Sequence, residues 1–290
     1  MSDTGFGSDP RVRWTRPLRR VRPLVVVGAS LEREWQVTRS YKLPFVMSAV
    51  QLVASVATFY FLSKIIGPGV EHRYGGQLAG GYFAFAVLGT SLLSIVSVML
   101  TSFAARLRSD QTTGTLEALL MTPSPAWLTV PAGAAYQLMF AALSAGLSIA
   151  LAAGLFGLRF SIRPVGLAAL VVLLAGTFVG FAALGVAFTG FVMVFKRGQG
   201  VITMVVTGLS LFGGVLYPLG VLPGPLRAVA GWVPFTWALL ALRDILIDGR
   251  APWGRVAQLW AAALVAVPLS LYVFDRALRR ARRGGTLAQY

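Results

Sequence analysis

The chain has 290 residues, of which 56% are hydrophobic and 12% charged, and its mean hydropathy is +0.73. Soluble domains stay near about 45–50% apolar and about 25% charged, so this composition excludes a water-soluble globular fold. The formal charge of +16 would suit a nucleic-acid partner, but the arginines sit in short clusters beside apolar runs, as orientation signals do, and no nucleic acid is expected; with no cysteine, disulfides, thiolate metal sites and cysteine nucleophiles are also excluded.

Residues 1–23, rich in Gly, Pro, Arg and Asp, read as a disordered basic tail. Leu24 to Val27 is too short for the apolar region of a signal peptide, so the first span is expected to stay in the mature protein. Residues 24–42 read as an amphipathic interfacial helix, with Ser30 as N-cap, Glu32 and Glu34 in the first turn, and Leu31, Trp35 and Val37 interleaved with charge.

A helix crossing about 30 Å of hydrocarbon needs roughly 20 apolar residues, and six stretches qualify. The fold class expected is all-α, a polytopic membrane protein with six transmembrane helices. The first uncharged run is Leu43 to Ser63, drawn as a span to 66; the others are 79–105, 126–158, 164–195, 201–217 and 256–274. None of these uncharged runs contains Lys, Arg, Asp, Glu or His, and their Gly, Ala, Ser and Thr content suits close packing in lipid. They lack the alternation of a spanning barrel.

Six spans place both termini on one side. With both inside, the inner segments hold eighteen Lys and Arg, including Arg106, Arg108, Lys196, Arg197 and the cluster from Arg276 to Arg283. Only eight remain outside, among them Arg227, Arg243, Arg250 and Arg255. The termini are therefore expected in the cytoplasm. Residues 218–255 are too apolar for a loop, and Pro218, Pro223, Pro225 and Pro234 break them too often for a span. Two short re-entrant helices are expected before the last span, near Gly224 to Gly231 and Thr236 to Ile247, lying at or dipping into the outer face. Residues 284–290 form a C-terminal tail.

The inner loop 106–125 carries the one specific motif: Gly114-Thr115-Leu116-Glu117, then Leu119-Leu120, one residue, and Thr122-Pro123. Gly114 permits a turn out of the second span, Thr115 can cap a new helix, and Glu117 sits in its first turn, where the helix dipole favours a carboxylate. Leu116, Leu119 and Leu120 lie three and four apart and make one apolar face. Pro123 and Pro125 end the element. Placed on the cytoplasmic side after the second of six spans, this motif resembles that of the permease subunits of type-2 ABC exporters, a family that includes daunorubicin and multidrug exporters. The layout is similar over nearly the whole chain.

The resemblance implies a subunit of the bacterial cytoplasmic membrane that exports a hydrophobic or amphiphilic cargo, such as a drug, lipid or glycan-lipid. It implies two copies of a cytoplasmic ABC ATPase, a second permease as homodimer or heterodimer partner, contact with membrane lipid, and ATP and Mg held by the ATPase, with no cofactor bound directly. In the family this loop is the coupling helix, which assigns ATPase coupling here to Asp110, Gly114, Thr115, Leu116, Glu117, Leu120, Thr122 and Pro123. Many relatives carry Glu-Arg-Glu ahead of the glycine; this chain has Asp110-Gln111-Thr112, retaining one acidic position and losing two.

No phosphate-binding glycine loop of the G-x-x-x-x-G-K-[S/T] type occurs, so the chain is not expected to hydrolyse nucleotide or to be an enzyme. An ion-coupled secondary transporter is the alternative, but such proteins place ionisable relays inside spans, and these spans have none. The sole histidine, His72, falls in an outer loop without an accompanying catalytic or metal-binding motif. Gln51, Ser55, Thr58 and Phe59 share one face of the first span at i, i+4, i+7 and i+8. They either line a translocation path or pack against neighbouring helices, as hydroxyl residues in membranes routinely do.

Overall fold

The computed structural model describes residues 42–74, 80–112, 126–158, 160–161, 163–194 and 199–283, together with Gly28. Apart from Gly28, the N-terminal segment expected to form the interfacial helix lies outside them, as does the loop 113–125. All the described elements are helical: α1 (Lys42–Tyr74), α2 (Gly81–Thr112), α3 (Ala126–Phe156), α4 (Pro164–Val194), α5 (Gln199–Phe212), a 3-10 turn (Leu219–Val221), α6 (Gly224–Trp232), α7 (Pro234–Leu246) and α8 (Trp253–Arg283). In lipid no water satisfies backbone polar groups, so apolar segments of this length must bond within themselves.

Five helices contain spans long and apolar enough to cross a membrane: Val46–Ile66, Gly81–Arg106, Tyr136–Phe156, Pro164–Val192 and Trp253–Arg280. The fifth span expected, 201–217, differs. Its helix α5 has 14 residues and ends at Phe212; at 1.5 Å per residue it reaches about 21 Å, short of the roughly 30 Å of hydrocarbon. Gly213 follows, and Gly214 turns the chain with φ of +73°. A β-carbon on Gly213 would fall 2.5 Å from the ring of Phe235, so the chain turns directly against α7. Helices α6 and α7 meet at a bend of 83° and count together as the sixth crossing only if the pair is taken as one broken span. Helix α2 runs on to Thr112, beyond the expected end at 105, because Arg106 and Arg108 do not break a helix and the next glycine is Gly114.

Helix α2 is the centre of the bundle, with 67% of its span window buried against 6% for α1. Its Leu88, Leu92, Val96, Leu100 and Phe103 form the main core with Leu173 of α4, Phe235, Leu239 and Ile245 of α7, and Leu259 of α8. A smaller cluster of Val56, Phe83, Val87 and Ala152 holds α1 against α2 and α3. It is capped by Tyr60 and Phe156, whose ring centroids are 4.6 Å apart.

Helix α4 packs on both α2 and α8, and its glycines set the distances, as expected where small residues replace the hydrophobic drive between helices. A β-carbon on Gly176 would lie 2.8 Å from the indole nitrogen of Trp260, which itself donates to the carbonyl of Val172 at 3.1 Å. On Gly185 it would lie 2.2 Å from the backbone oxygen of Met99 and 2.7 Å from the ring of Phe103. Because a backbone atom cannot swing aside, Gly185→Ala is expected to force α2 and α4 apart and to cost about 1–3 kcal/mol. Gly208→Ala, with nothing within 4 Å of the new carbon, serves as control. Thermal unfolding in detergent should show a lowered midpoint for the first and none for the second.

Candidate functional site

Of the residues assigned to ATPase coupling, Gly114, Thr115, Leu116, Glu117, Leu120, Thr122 and Pro123 lie outside the described residues. Asp110 falls in the last turn of α2, the central helix of the bundle, and the motif begins in the sequence at Gly114, just after the helix ends at Thr112.

The four candidate path residues on α1 are divided by the fold. Ser55 and Phe59 face a small recess of about 120 Å³ against α2 and α3; Gln51 and Thr58 do not line it. Thr58 Oγ1 donates to the carbonyl of Ala54 at 2.7 Å, which satisfies its hydrogen within the helix. The recess also gathers hydroxyl residues that the sequence reading missed: Thr90, Ser91 and Ser94 from α2, and Ser144 and Ser148 from α3. Ser91 and Ser148 share a buried 2.7 Å hydrogen bond, and Thr90 donates to the carbonyl of Ala86 at 2.8 Å. The signal was present in Ser144 and Ser148, four apart and hence on one helix face.

The most polar feature of the core lies on α7. Nine of its thirteen residues are buried, whereas α6 buries only Ala230. Thus α7 is a wedge inside the bundle, and α6 lies along its surface. Pro at the start of each helix supplies a preset φ where no amide donor is needed, which separates the two at Val233. The Trp237 indole donates to the carbonyl of Gly231 at 2.6 Å across the bend. The other end of α7 is tied to the α3–α4 connection, where the amide of Ser161 donates to the carbonyl of Leu246 at 3.0 Å.

Arg243, counted from sequence among the outer-loop cations, is buried in this wedge with 7% exposure. The second of the two short helices expected there forms as α7, and the fold adds that it is a core helix whose buried face carries Arg243 with Leu239, Leu242 and Leu246. One Arg243 Nη2 donates to the carbonyl of Phe85 at 2.9 Å and to that of Val215 at 3.2 Å. The guanidinium carbon stands 3.4 Å from the centroid of the Phe85 ring. Among the described residues no carboxylate pairs with it: the ion pairs there are Arg255 with Asp244 and Arg279 with Asp275. A buried charge without a counter-ion is costly, so two carbonyl dipoles and an aromatic face carry the compensation. Among the described residues Arg243 Nε has no hydrogen-bond partner.

The geometry makes Arg243 a staple joining α7, α2 and the turn after α5. Gly89 completes it: a β-carbon there would meet the Val215 oxygen at 2.4 Å and Arg243 Nη2 at 3.0 Å. An arginine does not give up its proton in proteins, so this cation holds structure and is no proton relay.

Among the described residues no three His, Cys, Asp or Glu side chains gather as a metal site. The family model described as ABC-2 type transporter matches residues 25–247. No curated protein matches the chain.

Proposed function

The chain belongs to the ABC-2 type transporter family, and as such is the membrane permease component of an ABC transporter; we propose that it works as an exporter of hydrophobic or amphiphilic cargo, driven by a separate cytoplasmic ATPase. The family match over residues 25–247 carries this reading. The described spans support it, since their walls are apolar and offer no chain of ionisable groups through which an ion gradient could act.

The finer features follow the same reading. Two permeases and two ATPases assemble in the bacterial cytoplasmic membrane, with both termini in the cytoplasm and the motif from Gly114 to Pro123 receiving the ATPase. A cytoplasmic ATPase can move membrane helices only through contacts that differ between its two states. That the motif follows α2 in the sequence supports such a lever, because α2 carries the central core of the bundle.

Purification from its own host in mild detergent is expected to bring an ATP-binding subunit in equal amount, and vesicles holding the complex should accumulate an amphiphilic dye only with ATP and Mg. Dye moved by the purified chain alone down an ion gradient, without nucleotide or a second polypeptide, would overturn the reading.

A further inference from the structure

Helices α3 and α4 are consecutive and joined by a short connection, yet they scarcely touch: α3 packs on α2 and α1, and α4 on α2, α7 and α8. Consecutive elements are usually neighbours. Between them lies a cleft of about 790 Å³, floored by Leu92, Ile95 and Met99 of α2. Along α4 it runs from Leu170 to Val186, which at 1.5 Å per residue is about 24 Å. These stretches fall within the spans of α2, α3, α4 and α8, so the cleft is at hydrocarbon depth. Met139, Phe178 and Leu271 on its walls are exposed, so it opens sideways to the membrane.

We propose that this cleft is a binding site for the acyl chain of a bilayer phospholipid. Among the described residues its lining offers no ionisable group, and the three hydroxyl side chains there are already bonded. Ser91 pairs with Ser148 at 2.7 Å, Thr177 donates to the carbonyl of Leu173 at 2.9 Å, and Ser270 to that of Val267 at 2.8 Å. Water requires two to four polar partners, so it has no purchase here. Nor is the space stable when empty, since each wall atom would lack the contacts that a packed interior supplies. A hydrocarbon chain is narrow enough, asks for no hydrogen bond, and is what the surrounding phase consists of. The site follows from the spans and their packing, and stands whether or not the transport reading above does.

The full chain, reconstituted in vesicles of phosphatidylethanolamine and phosphatidylglycerol, tests this with a small fraction of phosphatidylcholine carrying a diazirine near the end of one acyl chain. These vesicles hold no drug-like solute, so labelling reports lipid alone. After irradiation, labels should concentrate on Met139 and Phe178 several-fold above Val171 and Leu264, which are exposed but lie outside the cleft. Gly146→Trp fills the cleft from a position where an added β-carbon meets nothing within 4 Å. It should lower cleft labelling at least fivefold and leave Val171 and Leu264 unchanged; Ala142→Phe, from another position in the cleft lining, should do the same. Equal labelling of cleft and outside positions in the unaltered chain would overturn the proposal, as would cleft labelling that neither substitution reduces. A cleft left unlabelled is filled by something other than bilayer lipid, such as cargo or a second copy, and that too overturns it.

Discussion

Arg243→Ala is expected to lower the unfolding midpoint of the detergent-solubilised protein sharply, by a stability loss of about 3–8 kcal/mol. Two effects add. Truncating a long buried side chain leaves a cavity, which costs about 2–5 kcal/mol in well-packed cores. The carbonyl of Val215, in the turn after α5, also loses its 3.2 Å donor, and an unsatisfied buried acceptor costs about 1–3 kcal/mol. Arg243→Lys keeps the charge but loses the planar fork and its stacking on Phe85, so it should recover only part of the loss. Arg243→Met separates charge from volume: it refills most of the cavity and removes the buried charge, leaving mainly the unpaired Val215 carbonyl at about 1–3 kcal/mol. The expected order of midpoints is therefore Ala lowest, Lys between, and Met nearest the unaltered protein. A Met variant as unstable as Ala would show that the hydrogen bonds, and not the filled volume, hold α7 in place.

The difference between what was legible and what was not follows from how lipid reads a sequence. Long uncharged runs are visible without any knowledge of packing, so the all-helical polytopic class and the long helices α1, α2, α3, α4 and α8 emerge from composition alone. Hydropathy is blind to where an apolar run turns. The run 201–217 reads as one span, but Gly213 and Gly214 allow the chain to leave the helix at Phe212 and pack against Phe235. The proline-broken segment shows the same limit. Pro223, Pro225 and Pro234 reveal two short helices, but only tertiary packing decides that α7 enters the core while α6 stays at its edge.

Arg243 was hidden for a related reason. The positive-inside count treats every cation between spans as a topological signal. Here one of them has Leu239 and Leu242 as close neighbours on the same helix, and a charge within an apolar helical face at membrane depth is a functional candidate by default. The absence of ionisable groups inside the six uncharged runs still holds. The bundle nevertheless contains a buried cation, but an arginine keeps its proton, so it offers no proton relay.

Glu117→Arg is expected to reduce ATP-dependent export at least tenfold while membrane insertion, yield and unfolding midpoint stay unchanged. The argument is electrostatic and positional. In the proposed coupling element Glu117 occupies the first turn, where the partial positive charge of the helix N-terminus favours a carboxylate and disfavours a guanidinium. The motif follows the span Gly81–Arg106 in the sequence, so reversing a charge there leaves the residues of the main core themselves unaltered. The two consequences can be read apart. Loss of ATPase co-purification would place Glu117 in the docking surface; retained co-purification with ATP hydrolysis but no cargo movement would place it in the transmission of the stroke. Gly114→Val should act through the backbone instead, by stiffening the turn that connects the element to α2. Undiminished export by a well-expressed Glu117→Arg protein would remove the motif from the coupling path, and the drive from the ATPase would then have to enter the bundle through another cytoplasmic connection.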